Sequence, residues 1–173
     1  MKLYLIRHLP TNWNKSGLLQ GKRNIAIDHI NESDESKILN NTETLKNKEF
    51  DLILTSSLTR TKQTAIEYGY KKFEIEPLLD ELDFGIYEGK HKSNLIKASN
   101  GLWISNPSQL ILGESLADFE SRLRSFLISY SQFNRILVFS HGAVIRALVS
   151  IKNNNNIDAM NKITVNNNSI TII

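Results

Sequence analysis

The 173-residue sequence has no cysteine. Disulfides, thiolate metal sites and a cysteine nucleophile are therefore excluded, and the absence fits a cytoplasmic setting. Long apolar runs are missing too. The first six residues resemble the start of a secretory leader, but the run is too short and Arg7-His8 ends it. No later stretch approaches membrane-spanning length, so no membrane partner is expected. Charge of one sign is also scarce: 21 Lys and Arg against 18 Asp and Glu leave a formal charge of +3. The lysines fall in short pairs, Lys71-Lys72 and Lys90/Lys92, rather than in the dense stripe that a nucleic-acid partner requires. There is no internal repeat.

What is present is an ordinary globular composition, 40% apolar and 23% charged, of a length that suits one domain over residues 1–173. Strand-like runs occur at Leu3 to Ile6, at "DLILTS" from Asp51, at "FEIE" from Phe73, at "RILVFS" from Arg135 and at the closing "SITII". Helical patterns alternate with them, which predicts an α/β fold with a mostly parallel sheet. "SLTRTKQTAIEYG" predicts a helix capped by Ser57 and closed by Gly69, and "ESLADFESRLRSFLISYS" a longer one capped by Ser115. "GAVIRALVS" reads as a buried helix, a weaker helix is expected from about Glu35, and "ITVNNNSITII" reads as a hairpin about an asparagine turn. The runs Asn153 to Asn156 and Asn166 to Asn168 read as a loop and a turn, since asparagine tolerates left-handed geometry. The connection 85–113, with a short helix over Lys92 to Ala98, is long enough to predict a substrate loop or lid.

Polar residues gather where strands end, which is where open α/β sheets bind ligands. Arg7-His8 follows the first strand, and Arg60 falls in the first turn of the helix after the second. A cation there opposes the helix dipole, so an anionic partner is expected for it. Glu81 and Asp83 end a short apolar segment, and His141-Gly142 sits between strand and helix. Taken singly, each has an ordinary explanation as a solvated or core residue, and His29 and His91 are read that way. Trp13 and Trp103 are candidates for lining the substrate loop, with Trp13 favoured for its place between Thr11 and Asn14.

Taken in order, "LIRHLPTNWN", "SSLTRTKQTA", "LLDELDFGIYEG", "GES" at Gly113 to Ser115 and "ILVFSHGAVIRAL" resemble the motifs of the histidine phosphatase (phosphoglycerate mutase-like) superfamily. The resemblance implies a three-layer α/β/α fold with a mostly parallel mixed sheet, and phosphoryl transfer through a phosphohistidine. By match to the motifs, His8 is the nucleophile, Arg7, Arg60 and His141 bind the phosphoryl group, and Glu81 is the proton donor. Thr11, Asn14 and Gly142 match positions around the same pocket. No metal or cofactor is implied, and the expected ligand is a small phosphorylated metabolite taken by a monomer or homodimer.

These residue types suit that chemistry. Neutral imidazole is a competent nucleophile, and its reference pKa of about 6.5 leaves it mostly neutral at physiological pH. Guanidiniums stabilise charge on the equatorial oxygens without a metal. Glu81 as general acid predicts a raised pKa or a mildly acidic optimum. The chain departs from the family pattern at Leu9-Pro10, which replaces a glycine after the histidine, and at Leu18, where many relatives have arginine. Arg23 is the candidate to restore part of that charge. "LDFG" after Glu81 resembles the phosphatase branch, which includes broad-specificity and α-ribazole phosphatases, and the short chain leaves little to shield a phosphohistidine from water. A phosphomonoesterase is therefore expected, with a phosphoglycerate mutase or a non-catalytic phosphate-binding regulator as alternatives.

Overall fold

The computed structural model describes residues 1–173, with strands β1 (Lys2–Arg7), β2 (Leu52–Thr55), β3 (Glu74–Ile75), β4 (Arg135–Ser140) and β5 (Ile170–Ile172). They form one sheet in the order β3-β2-β4-β1-β5, parallel throughout except for β5, which runs antiparallel to β1. Side chains alternate faces along a strand. Leu3, Leu5, Ile136 and Val138 thus enter a core of 23 buried residues on one face, while Tyr4, Ile6, Leu137 and Phe139 enter a smaller core of seven on the other.

Helices cover both faces. Against the larger core lie α6 (Leu116–Ser129) and α7 (Gly142–Asn154), and against the smaller one α2 (Glu32–Leu45) and α3 (Thr59–Glu67). The result is the three-layer α/β/α arrangement expected from the motifs. Three further short helices are α1 (Asn12–Lys15), α4 (Lys92–Ala98) and α5 (Leu102–Ser105). No helix is long and apolar enough to cross a membrane.

Local chemistry corrects several expectations. Ser57 does not cap α3: Leu58 holds that position without a side-chain bond, its N–H is taken by Ser56 Oγ, and Ser57 N–H goes to Asp80. Helix α2 begins three residues before Glu35, because Asn31 caps it by accepting from Asp34 N–H at 3.0 Å. Asn153 and Asn154 continue α7, and only Asn155 turns left-handed, with φ of 55°. The closing segment is no hairpin. Only Ile170–Ile172 is a strand, and it pairs with β1 rather than with its own neighbours. Ser115 does cap α6, accepting from Asp118 N–H at 3.0 Å.

Strand register decides what meets at the carboxyl edge. Arg7 lies beside Ser140 and Thr55 beside Phe139, so the residues that follow β1, β2 and β4 emerge side by side. The connection carrying Glu81 reaches the same edge and is fixed from behind. Arg122 on α6 pairs with Glu114 at 2.9 Å and donates to the carbonyls of Leu78 and Glu81, while Glu114 accepts from Asp83 N–H. Asp83 in turn accepts from Gly85 N–H, and Gly113 packs so closely that an added Cβ would lie 1.8 Å from the Asp83 carboxylate and 2.7 Å from Gly85 N.

Gly113→Ala is therefore expected to lower stability by about 1–3 kcal/mol through overpacking. Urea unfolding of the variant against the parent chain measures it, and an unchanged midpoint contradicts this packing.

Candidate active site

His8 is buried at the end of β1, its N–H bonded to Ser140 O at 2.9 Å. Its Nδ1 lies 2.7 Å from the Leu9 carbonyl, an acceptor only, so Nδ1 carries the proton and Nε2 keeps a free lone pair. Leu9 is buried as well, and its N–H is taken by Thr64 Oγ1 at 2.9 Å. A glycine's backbone freedom is thus replaced by a side chain that anchors the loop in the core. His141 stands across from His8, with ring centroids 5.3 Å apart.

Arg60 is fully buried, and three bonds hold its guanidinium: Nε to His141 Nδ1 at 3.2 Å and the terminal nitrogens to the carbonyls of Arg23 and Gly21 at 2.7 and 2.8 Å. The partner expected to be an anion is instead a ring nitrogen and two carbonyls. One N–H on each terminal nitrogen remains to bind something else. Because Arg60 donates to Nδ1, His141 carries its proton on Nε2 and donates it to Ser56 Oγ at 2.7 Å. Ser56 also lies 2.9 Å from Thr61 Oγ1, so helix α3 fixes the ring from both sides.

Arg7 donates to Val165 O at 2.7 Å, and its buried Nε has no hydrogen-bond partner within the protein. Glu81 is nearly buried and accepts from Leu82 N–H at 3.0 Å and from Ala143 N–H, at the start of α7, at 3.3 Å. Arg7, His8, Arg60 and Glu81 line one cavity of about 320 Å³, together with Asn14, Gly142, Lys92, Trp103 and Arg146 among others. Burial pulls the Arg7 and Arg60 guanidiniums down to about 10, opposed chiefly by the Glu81 carboxylate. Both rings are held well below the usual histidine range, first by burial and then by Arg60. His8 is thus a neutral base among fixed positive charges, an arrangement suited to attack on an anionic electrophile.

The remaining candidates divide. Asn14 lines the cavity, accepting from Thr11 N–H and from Asn167 Nδ2 at 3.3 Å, whereas Thr11 caps α1 and orients Asn14 from behind the wall. The Arg23 side chain turns away to pair with Glu88 at 3.1 Å, and only its carbonyl serves the site. Gly142 lies against the Arg7 guanidinium, where an added Cβ would sit 3.3 Å from it. Trp103, not Trp13, faces the cavity; Trp13 packs over Gly89. His29 and His91 are exposed and do not line the cavity, although His91 lies against Gly17 at its edge.

Four contributors escaped the sequence analysis. Arg146 follows Gly142 by one helical turn and so faces the same cavity, and a single cation within the apolar run "GAVIRALV" was the available signal. Lys92 opens α4 at the rim. Asn167 and Asn168 hold the nucleophile loop: Asn167 Nδ2 donates to His8 O at 2.9 Å, and Asn168 N–H to Arg7 O at 3.1 Å.

Comparison with known proteins bears on the family and the fold. The family model described as histidine phosphatase superfamily (branch 1) matches residues 3–173. A Hydrogenobacter thermophilus protein provisionally named phosphoserine phosphatase 2 is 30% identical over 182 residues, covering 99% of this chain and 88% of the relative. A probable phosphoglycerate mutase GpmB of Enterobacter sp. strain 638 is 27% identical, covering 87% and 74%. The crystal structure of the α-ribazole phosphatase from Shigella flexneri superposes with a TM-score of 0.78 at 26% identity, covering 99% and 89%.

The two histidines have a measurable signature. Nitrogen-15 NMR is expected to show His8 protonated at Nδ1 and His141 at Nε2, with neither ring titrating near pH 6.5. Because the folded values are depressed, the unfolded chain takes up protons that the folded one refuses, so stability falls as the pH drops below about 6.5. Two rings that titrate normally contradict the burial described.

Proposed function

The chain belongs to the histidine phosphatase superfamily, and on that premise we propose that it hydrolyses a small phosphomonoester through a phosphohistidine on His8. Residues 1–173 act as one domain, with 85–113 as its substrate loop. The observation that most supports hydrolysis is the free Nε2 of His8, whose ring is held by the Nδ1–H bond to the Leu9 carbonyl in a cavity that also carries Arg7, Arg60 and Glu81.

In the first step the Nε2 lone pair attacks phosphorus while the ester P–O bond breaks. Glu81, entering as the acid, gives its proton to the leaving oxygen. Arg7 through Nε and Arg60 through its two unused N–H groups hold the equatorial oxygens, where charge stabilisation contributes most to such transfers. In the second step water attacks phosphorus, its proton passes to the Glu81 carboxylate, and the P–N bond breaks. Neutral His8 and inorganic phosphate result. His141, tied to Ser56 and Arg60, fixes the Arg60 guanidinium against the anion.

Hydrolysis of p-nitrophenyl phosphate in EDTA at mildly acidic pH is the expected activity. His8→Ala is expected to abolish both turnover and an acid-quenched phosphoenzyme, and Glu81→Gln to lower kcat by about 10²–10⁴-fold. Turnover that persists in His8→Ala removes the nucleophile assignment. Faster isomerisation than hydrolysis of 3-phosphoglycerate would assign a mutase instead.

A further inference from the structure

Every direct partner of Arg60 is neutral, but a carboxylate stands one peptide group away. The Gly21–Lys22 peptide gives its carbonyl to Arg60 Nη2 at 2.8 Å and its N–H to Glu88 Oε1 at 2.9 Å. Guanidinium, peptide and carboxylate thus form a chain in which each bond polarises the peptide in favour of the other. The second carbonyl on Arg60 belongs to Arg23, which closes the same turn with its N–H on Gln20 O at 3.1 Å. Arg23 Nε reaches the other Glu88 oxygen at 3.1 Å, so one carboxylate holds both residues whose carbonyls grip Arg60.

The carboxylate fits this place closely. Gly21 is left-handed, with φ of 52°, and an added Cβ would fall 1.9 Å from Glu88 Oε1. Only glycine supplies both that conformation and that room. The segment bearing Glu88 is fixed against the turn by Gly89 N–H on Leu19 O at 2.8 Å and Leu19 N–H on Lys90 O at 2.9 Å. The Glu88 side chain is 9% exposed, whereas its partner Arg23 is 65% exposed, and so open an ion pair adds little to stability. Burying a carboxylate is costly, so a bond other than that pair gives Glu88 its purpose, and the Lys22 N–H is that bond. Electrostatics run the same way: burial lowers the Arg60 pKa, and Glu88, after Glu81 and Asp80, is among the carboxylates that oppose the shift.

We infer that Glu88 is a positioning residue: through the Gly21–Lys22 peptide its carboxylate sets the orientation of the Arg60 guanidinium that holds the phosphoryl oxygens. This rests on the phosphatase reading for the role of Arg60. Glu88 does not line the cavity and touches no substrate. A carboxylate bonded directly to Arg60 would compete with the bound anion. Acting through a neutral peptide, Glu88 orients the guanidinium and leaves its remaining N–H groups to the ligand. Because Glu88 belongs to the 85–113 connection, the start of that loop and the phosphate grip form one assembly.

Binding of inorganic phosphate, followed by phosphorus-31 NMR, tests this together with the Arg60 side-chain proton signals. Glu88→Ala is expected to weaken phosphate binding by about 10-fold, the size of one hydrogen bond to a charged group, and Glu88→Gln, which keeps an acceptor but no charge, by about 3-fold. Arg60→Ala is expected to weaken it further, and Glu88→Ala added to Arg60→Ala to cost nothing more, since a residue acting through Arg60 then has nothing to act on. The Arg60 Nη protons are expected to give separate signals in the parent chain, where rotation is hindered, and to merge in Glu88→Ala. Glu88→Gln, of the same shape, carries both measurements if the alanine variant does not fold. Parental affinity in the folded Glu88 variants overturns the inference, as does a loss that multiplies with that of Arg60→Ala, an unchanged set of Arg60 signals, or a parent chain that binds no phosphate at millimolar concentration. Failure of the phosphatase reading is seen separately, as absent turnover and phosphoenzyme in a chain that still binds phosphate.

Discussion

Several guanidiniums buried at one end of a β-sheet repel one another, and everything around them is arranged to hold them there. Each is fixed by a part of the chain remote from its own motif. Arg60 is gripped by the carbonyls of Gly21 and Arg23, Arg7 by Val165, and Arg146 lies beside Asn161. Neutral carbonyls orient the donors without cancelling their charge. Glu81 is the one carboxylate lining the cavity, so the cavity remains strongly positive and suited to an anion.

Holding the carboxylate requires its own apparatus. Glu114 of the "GES" segment reaches Arg122 and the backbone of Asp83, and Arg122 reaches the Glu81 carbonyl, so a half-buried ion pair between α6 and the segment that leads into it determines where the acid stands. Gly113 and Asp83 pack against each other with no room for another atom. The long 85–113 connection is therefore firmly anchored at both ends of its course, and its middle delivers Lys92 and Trp103 to the cavity.

The strands and the strand-end residues were legible because both signals are local: alternating apolar runs, then a charged or ring side chain where the run stops. Arg7, His8, Arg60, Glu81 and His141 belong to such places. What could not be read depends on partners distant in sequence. Arg23 looked like a source of charge, but Glu88, 65 residues on, draws its side chain away. Trp13 looked better placed than Trp103 until the fold put the later residue against the cavity. The asparagine turn near the end suggested a hairpin, yet its hydrogen bonds go to Arg7 and His8, at the opposite end of the chain. Leu9 departs from the family pattern but is accommodated by a threonine 55 residues away.

The register of β1 against β4 has a consequence for folding. His8 and His141 are neighbours only because strands separated by more than a hundred residues pair side by side, and the same pairing joins Leu3, Leu5, Ile136 and Val138 in the core. Contacts of such sequence separation form slowly and all together. The site consequently has no independent existence as a local motif: it is assembled when the central sheet closes and is lost when the sheet opens, which makes ligand binding a direct report on global cooperativity.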